Sequence, residues 1–188
     1  MTIASAPSLT LQAFLERSDI DESPVWEYCH GEMSQKPMGG GKHSLLQKML
    51  VRVIDQLDSA YEAFPELRCT IAGRSIVPDV VVMAKGDVPV DEAGDMTSSG
   101  IEFAPPWIIE ILSPKQSQTK VTGNILHCLK TGSQLAWLID PEARSILVYQ
   151  PNQLPDVWTE GDDLPALPVL SGLELSLSVQ QVFQWLSR

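Results

Sequence analysis

Ile76-Val77-Pro78-Asp79-Val80-Val81-Val82 and Trp107-Ile108-Ile109-Glu110-Ile111-Leu112 are two short apolar runs, rich in β-branched residues, each interrupted by a single carboxylate. Runs of this length and composition read as strands buried on both faces. An ionised carboxylate inside such a strand is costly: it shifts its pKa or requires a partner. If Asp79 and Glu110 lie on adjacent strands, they can converge on one divalent cation, whose charge offsets both penalties. Hard oxygen ligands suit Mg²⁺ or Mn²⁺, which keep several waters and add a phosphate oxygen readily. The competing reading sets each acid at a sheet edge facing solvent, as charged residues usually are.

Outward from these strands the chain alternates helical and extended periodicities. Residues 8–16 predict a short helix, and Val25 to Ser34 a strand or hairpin arm followed by the loop Pro37-Met38-Gly39-Gly40-Gly41. From Ser44 to about Ala63, Leu45, Leu46, Met49, Leu50, Val53, Ile54, Leu57 and Tyr61 recur at three- and four-residue steps, which predicts an amphipathic helix. Cys69 to Ala72, Val77 to Met83 and Trp107 to Leu112 predict strands. Gln118 to Thr131 predicts a second helix closed by Gly132. Leu135 to Ile139 and Ser145 to Tyr149 predict a hairpin, and Ser178 with Gln181 a capping box opening a helix over Val179 to Leu186. Helix, strands, helix, strands is the order of an α/β or α+β sheet flanked by helices, and 188 residues suit one domain.

Composition narrows the function classes. Thirteen Lys and Arg against 24 Asp and Glu give a net charge of −11, which argues against gripping nucleic acid by bulk positive charge. The charge is unevenly spread. Met33 to Ile54 holds Lys36, Lys42, Lys48 and Arg52 with no acid, and Ser113 to Gln134 holds Lys115, Lys120 and Lys130 with no acid. If the two windows meet in space, they form a positive rim on an acidic body. No uninterrupted apolar stretch is long enough to span a membrane, and the N-terminal residues show no export signal, so a cytoplasmic setting is expected. Cys29, Cys69 and Cys128 are odd in number, widely spaced and without a CxxC pair; they read as structural thiols rather than disulfide or zinc ligands.

Familiar catalytic motifs are missing. Gly39-Gly40-Gly41-Lys42-His43 resembles a phosphate loop, but Lys36 stands where the first glycine is needed and His43 where Ser or Thr is needed. There is no GxSxG elbow, HExxH or HxxxH pair, which argues against hydrolase triads and zincins. No helix-turn-helix or zinc module offers sequence-specific readout of nucleic acid.

Val77-Pro78-Asp79-Val80-Val81-Val82, Ile108-Ile109-Glu110-Ile111-Leu112-Ser113-Pro114, the helix after it, and Ala136-Trp137-Leu138-Ile139-Asp140-Pro141 together resemble the Uma-two family of restriction-endonuclease-like proteins, domain of unknown function 820. Trp26-Glu27-Tyr28, Gly31-Glu32 and His43 match that family's N-terminal pattern, so the likeness covers roughly residues 10 to 185. The resemblance implies a PD-(D/E)xK nuclease core: αβββαβ, a mixed central sheet flanked by helices, here with an added N-terminal hairpin and a C-terminal helix. The N-terminal extension would end near residue 24. It further implies that Asp79 and Glu110 are metal ligands, that the Ile111 carbonyl is a third, and that Glu32 and His43 are accessory residues at the mouth of the cleft. Mg²⁺ or Mn²⁺ is the implied cofactor and nucleic acid, DNA first, the implied partner.

The lysine of the motif departs from the pattern. Leu112 occupies its usual position two residues after the glutamate, and Asn124 occupies the helical alternative. Lys120, one turn before Asn124 on the same helical face, is the expected replacement. The leading expectation is therefore a metal-dependent endonuclease using Asp79, Glu110 and Lys120, with Glu32 and His43 assisting. A homodimer would suit an enzyme that acts on both strands of a duplex. Two rivals remain: a nuclease fold that binds nucleic acid or protein without cleavage, and a scaffold in which Asp79 and Glu110 never meet.

Overall fold

The computed structural model describes residues 9–114, 116–161 and 166–187. Along the chain these form α1 (Leu11–Leu15), β1 (Trp26–Cys29), β2 (Glu32–Gln35), α2 (Gly41–Asp55), β3 (Tyr61–Pro65), β4 (Cys69–Ile71), β5 (Arg74–Ile76), β6 (Val80–Ala84), β7 (Trp107–Ile111), α3 (Gln118–Thr131), β8 (Leu135–Asp140), β9 (Ser145–Tyr149), β10 (Asp156–Thr159) and α4 (Val179–Gln184). The strands make two sheets, one ordered β2-β1-β5-β4 and the other β10-β9-β8-β7-β6-β3. In the larger sheet β7 and β8 run parallel and every other pairing is antiparallel. A parallel pair needs a long crossover, and α3 supplies it. The sequence α2, β3, β6, β7, α3, β8 is the αβββαβ core in a mixed sheet, with the β1–β2 hairpin and α4 added to it.

β7 is buried along its whole length, and β6 except at Ala84, because each packs on both faces. On one face Val80, Val82, Trp107, Ile109 and Trp137 meet α2 and α4 through Leu46, Leu50, Ile54, Val182 and Phe183. On the other, Val81, Ile108, Ala136 and Leu138 meet Val121, Ile125 and Cys128 of α3, together with Cys69, Ile71 and Ile76 of the smaller sheet. Glu110 shares the parity of this second face and lies against α3, whereas Asp79, just before β6, meets His43 of α2. The smaller sheet is tied to the N-terminal segment by Arg68, whose buried guanidinium donates to the Ile20 and Trp26 carbonyls and to Ser75 Oγ, and pairs with Asp21.

Several boundaries differ from the sequence reading. The helix expected to reach Ala63 ends at Asp55, and Tyr61–Pro65 is instead β3, paired with β6. Leu57 and Tyr61 continue the helical period by coincidence, while the Asp55 carboxylate turns back to accept the Ala63 N–H at 2.9 Å and fixes the reversal. The run from Val77 begins pairing with β7 only at Val80. β5 and β10 were not expected; both are short, and β10 is largely exposed. α3 has the expected bounds with Gly132 at its end, and Ser178 and Gln181 form the expected capping box. Residue 8, Lys115 and the rest of residues 1–7 lie outside the described residues. The three cysteines are free; Cys69 and Cys128 are buried, and burial pushes the Cys128 thiol up to about 12. No helix among the described residues is long and apolar enough to cross a membrane.

Candidate active site

The register of the antiparallel pair β6–β7 sets Val80 opposite Ile109, so one step further out Asp79 faces Glu110. Directly opposed residues project to the same face with their Cβ atoms close. The two carboxylates thus meet at the open end of the strand pair, with 0% and 2% of their residue surface exposed. Asp79 is clamped: its Oδ2 accepts the Ile111 N–H at 2.6 Å, and its main-chain carbonyl accepts Gln47 Nε2 at 2.8 Å.

The cation beside them is Lys36. It stands just past β2, reaches over the strand ends, and places Nζ 2.6 Å from Asp79 Oδ1 and 3.5 Å from Glu110 Oε2. Its ammonium also donates to the Val77 carbonyl at 2.5 Å. Burial by itself would lower the Lys36 pKa, but the Glu110 and Asp79 charges outweigh it and hold the amine above the ordinary lysine value, fully protonated. Burial likewise works to raise Asp79, yet Lys36 and His43 hold it down to about 2. Glu110 goes the other way, to about 8: burial dominates, the Asp79 and Glu27 charges add to it, and Lys36 offsets only part.

His43, in the first turn of α2, completes the cluster. Nε2 lies 3.2 Å from Asp79 Oδ1, while Nδ1 lies 3.0 Å from the Ile111 carbonyl and 3.1 Å from Ser113 Oγ. A Cβ on Gly39 would stand 2.4 Å from His43 Cδ2, so only glycine leaves room for the ring there. Two clefts open on this cluster from opposite sides of Lys36 and Pro37. One, of about 170 Å³, is lined by Glu110, Glu27, Ser34, Lys120 and Asn124; the other, of about 130 Å³, by Asp79, His43, Met38 and Glu66.

The remaining sequence-derived candidates sit apart from the carboxylate pair. Lys120 pairs with Glu27 Oε2 at 2.9 Å and donates to Ser34 Oγ at 2.8 Å, on the wall of the larger cleft. Glu27, buried in β1, holds the Lys120 ammonium there. Glu32 is exposed at the turn end of β2 and lines neither cleft; four residues of extended chain, about 13 Å, separate it from Lys36. Asn124 is buried, its amide 3.5 Å from Glu27 Oε1.

A family model described as "Uma2: Putative restriction endonuclease" matches residues 11–179. The chain belongs to this family. A crystal structure titled as a putative nuclease of DUF820 from Anabaena variabilis is 45% identical to this Uma2 chain, covering 95% of it and 99% of the other chain with a TM-score of 0.87. No functionally curated protein matches. The restriction-endonuclease-like fold of the Uma2 family is thus present here, with a nuclease-like function.

The sequence alone assigns no site role to two residues that line the cluster, Glu27 and Lys36. Glu27 is an acid in the otherwise apolar Val25-Trp26-Glu27-Tyr28-Cys29, the same signal that singled out Asp79 and Glu110. Lys36 lies in an acid-free window close to the hairpin, and a buried carboxylate pair needs a counter-charge from such a window; what could not be read was which lysine the hairpin would deliver.

The donor set suits a hard divalent cation. Asp79 Oδ1 is buried yet receives no hydrogen bond of regular geometry; only the Lys36 ammonium and His43 face it. The Glu110 carboxylate shares Lys36 with it, and the His43 ring links it to the Ile111 carbonyl. Among the described residues no group of three or more His, Cys, Asp or Glu is placed to hold a metal ion; Mg²⁺ is an ion usually held by one or two carboxylates and its own waters.

Proposed function

We propose that this chain hydrolyses phosphodiester bonds of nucleic acid, DNA first, with Mg²⁺ or Mn²⁺ held by Asp79 and Glu110 and by the Ile111 carbonyl. The observation that carries the reading is the meeting of two buried carboxylates from adjacent strands with one buried ammonium. A bound divalent ion supplies polarisation of the phosphate and a water of lowered pKa. The chain's own groups do the rest. Lys36 supplies fixed positive charge where a pentavalent phosphate gathers negative charge, and burial makes that charge count for more than it would in water. The Ile111 N–H and Gln47 fix Asp79, and His43 holds the Ile111 carbonyl and Asp79 in one arrangement. Lys120 contributes to the field of the larger cleft through its pair with Glu27 rather than at the carboxylates.

Incubating labelled single-stranded, duplex and branched DNA with the protein in Mg²⁺, Mn²⁺ or EDTA tests this. Cleavage that needs the metal and disappears in Asp79→Ala and Glu110→Ala supports the reading. The second reading, a nuclease fold that binds without cutting, rests on Leu112 and Asn124 at the motif's two lysine positions; metal-independent binding with no cleavage of any substrate would select it.

A further inference from the structure

Along α3 the larger cleft is lined as far as Val121 and Asn124. From there the β1–β2 hairpin and α3 run alongside β5, away from Asp79 and Glu110, and Arg74 lies between them. Arg74 Nη1 donates to the Gly123 carbonyl of α3 at 3.1 Å, and Nη2 meets His30 Nε2 of the hairpin turn at 2.8 Å. For His30 Nε2 to accept from a guanidinium, its ring proton must sit on Nδ1. Arg74 Nε is buried with no hydrogen-bond partner. Arg17, Arg68 and Arg144 each pair with a carboxylate, whereas Arg52 and Arg74 form no ion pair among the described residues, and of these two it is Arg74 that is held in place from two elements.

The elements that hold Arg74 offer it no carboxylate partner among the described residues. His127, one turn beyond Gly123 on α3, is held by the Ile71 carbonyl at 2.8 Å; burial and the charges of Arg74, His30 and Lys130 keep its pKa low. No acid occurs from Ser113 to Gln134 or between Glu66 and Asp79, and of the two acids on the hairpin Glu27 pairs with Lys120 while Glu32 forms no ion pair among the described residues. On a chain of net charge −11, an arginine fixed from two sides by neutral acceptors and left without a counter-ion is set to receive an anion. Lys120 to His127 spans about 10 Å along α3, the rise of about three nucleotides of one strand.

We propose that Arg74, anchored between His30 and Gly123, binds a backbone phosphate of the nucleic-acid strand where it leaves the catalytic cleft between the β1–β2 hairpin and α3. This rests on the nuclease reading above for the identity of the strand. The proposal makes α3 and the hairpin a sequence-independent track, since a phosphate contact fixes position and reads no base.

The test is fluorescence anisotropy with a 5′-fluorescein single-stranded 15-mer DNA, in EDTA and again in Ca²⁺, across a salt series. Arg74→Gln should weaken binding about tenfold at low salt and reduce the slope of log affinity against log salt by about one. His30→Asp gives the same loss by a different route: an exposed turn residue that tolerates the left-handed backbone, it places a carboxylate on Arg74 and removes it from use without removing an anchor. Arg52→Gln, the same charge change on α2 at the opposite face of the sheet, should bind within about twofold of wild type. Equal weakening in all three variants, or none in Arg74→Gln and His30→Asp, overturns the proposal. Metal-dependent cleavage by variants that bind as the wild type does would remove the track and leave the nuclease. Binding lost in both variants with no cleavage by the wild type would keep the track and remove the nuclease. A wild type that neither binds nor cleaves overturns both.

Discussion

Lys36 Nζ is 2.6 Å from Asp79 Oδ1 at a point where both side chains are almost wholly excluded from water. The contact joins the end of the N-terminal hairpin to the mouth of the central sheet. It supplies the counter-charge that a pair of buried carboxylates requires, and it does so from a position where the PD-(D/E)xK pattern has no lysine.

Removing that charge should destabilise the fold. Lys36→Met leaves Asp79 and Glu110 buried with only His43 beside them, and breaking a buried pair by deleting one partner costs about 3–5 kcal/mol. Urea denaturation at neutral pH should show a loss of that order. A loss below about 1 kcal/mol, the value of an exposed pair, would mean that the ammonium does not sit between the carboxylates in solution.

Glu110 gives the stability a defined pH dependence. Its folded-state pKa, near 8, lies above its ordinary value of 4.5, so its contribution is complete below about 4.5 and is lost as pH rises through about 8. Each unit is worth about 1.4 kcal/mol, which makes the loss of the order of a few kcal/mol. Thermal unfolding should therefore move to lower temperature as pH rises from 4.5 to about 8 in the wild type and level off above that, and Glu110→Gln should flatten this decline. Asp79 acts at the other end: held near 2, it contributes stability above its ordinary 3.8 that is lost as pH falls toward 2.

The same carboxyl sets how metal affinity depends on pH. A ligand must be deprotonated to bind, so Mn²⁺ should displace about one proton per site near pH 7, and its affinity should rise with pH up to about 8. Titration calorimetry in two buffers of different ionisation enthalpy measures the proton directly. No proton release at pH 7 would show that Glu110 is already ionised or does not bind the metal.

Gly39→Ala should damage the site without touching a charged group. The new methyl would meet the His43 ring at 2.4 Å and push it from its contacts with Asp79, the Ile111 carbonyl and Ser113. Overpacking of this kind costs about 1–3 kcal/mol, and cleavage should fall by about tenfold or more as Asp79 loses its neighbour. An alanine variant with wild-type stability and cleavage would place the ring elsewhere.

The central strands were legible because Val, Ile and Trp crowd Val80–Ala84 and Trp107–Ile111, and the acids within those runs announced themselves by their cost. α3 was legible to the residue from its apolar stripe and Gly132. β3 was not, since Tyr61 falls in phase with the helix before it and nothing local shows that Asp55 ends that helix by binding Ala63. The site's lysine was hidden for a related reason. Helical spacing can rank Lys120 against Asn124, but whether Lys120 or Lys36 reaches the carboxylates depends on how the hairpin lies over the sheet, and on Glu27 holding the Lys120 ammonium. Both are properties of tertiary packing.

Single-turnover cleavage of a duplex in Mn²⁺ by Lys36→Met and Lys120→Met, each held well below its melting temperature, distinguishes the two lysines as the cation of the site. Loss of one preorganised charge at the reacting phosphate should slow Lys36→Met by about 10²–10³ and leave Lys120→Met within about tenfold of wild type. The reverse order, with Lys36→Met active and Lys120→Met inactive, would contradict the assignment of Lys36 as the cation of the site.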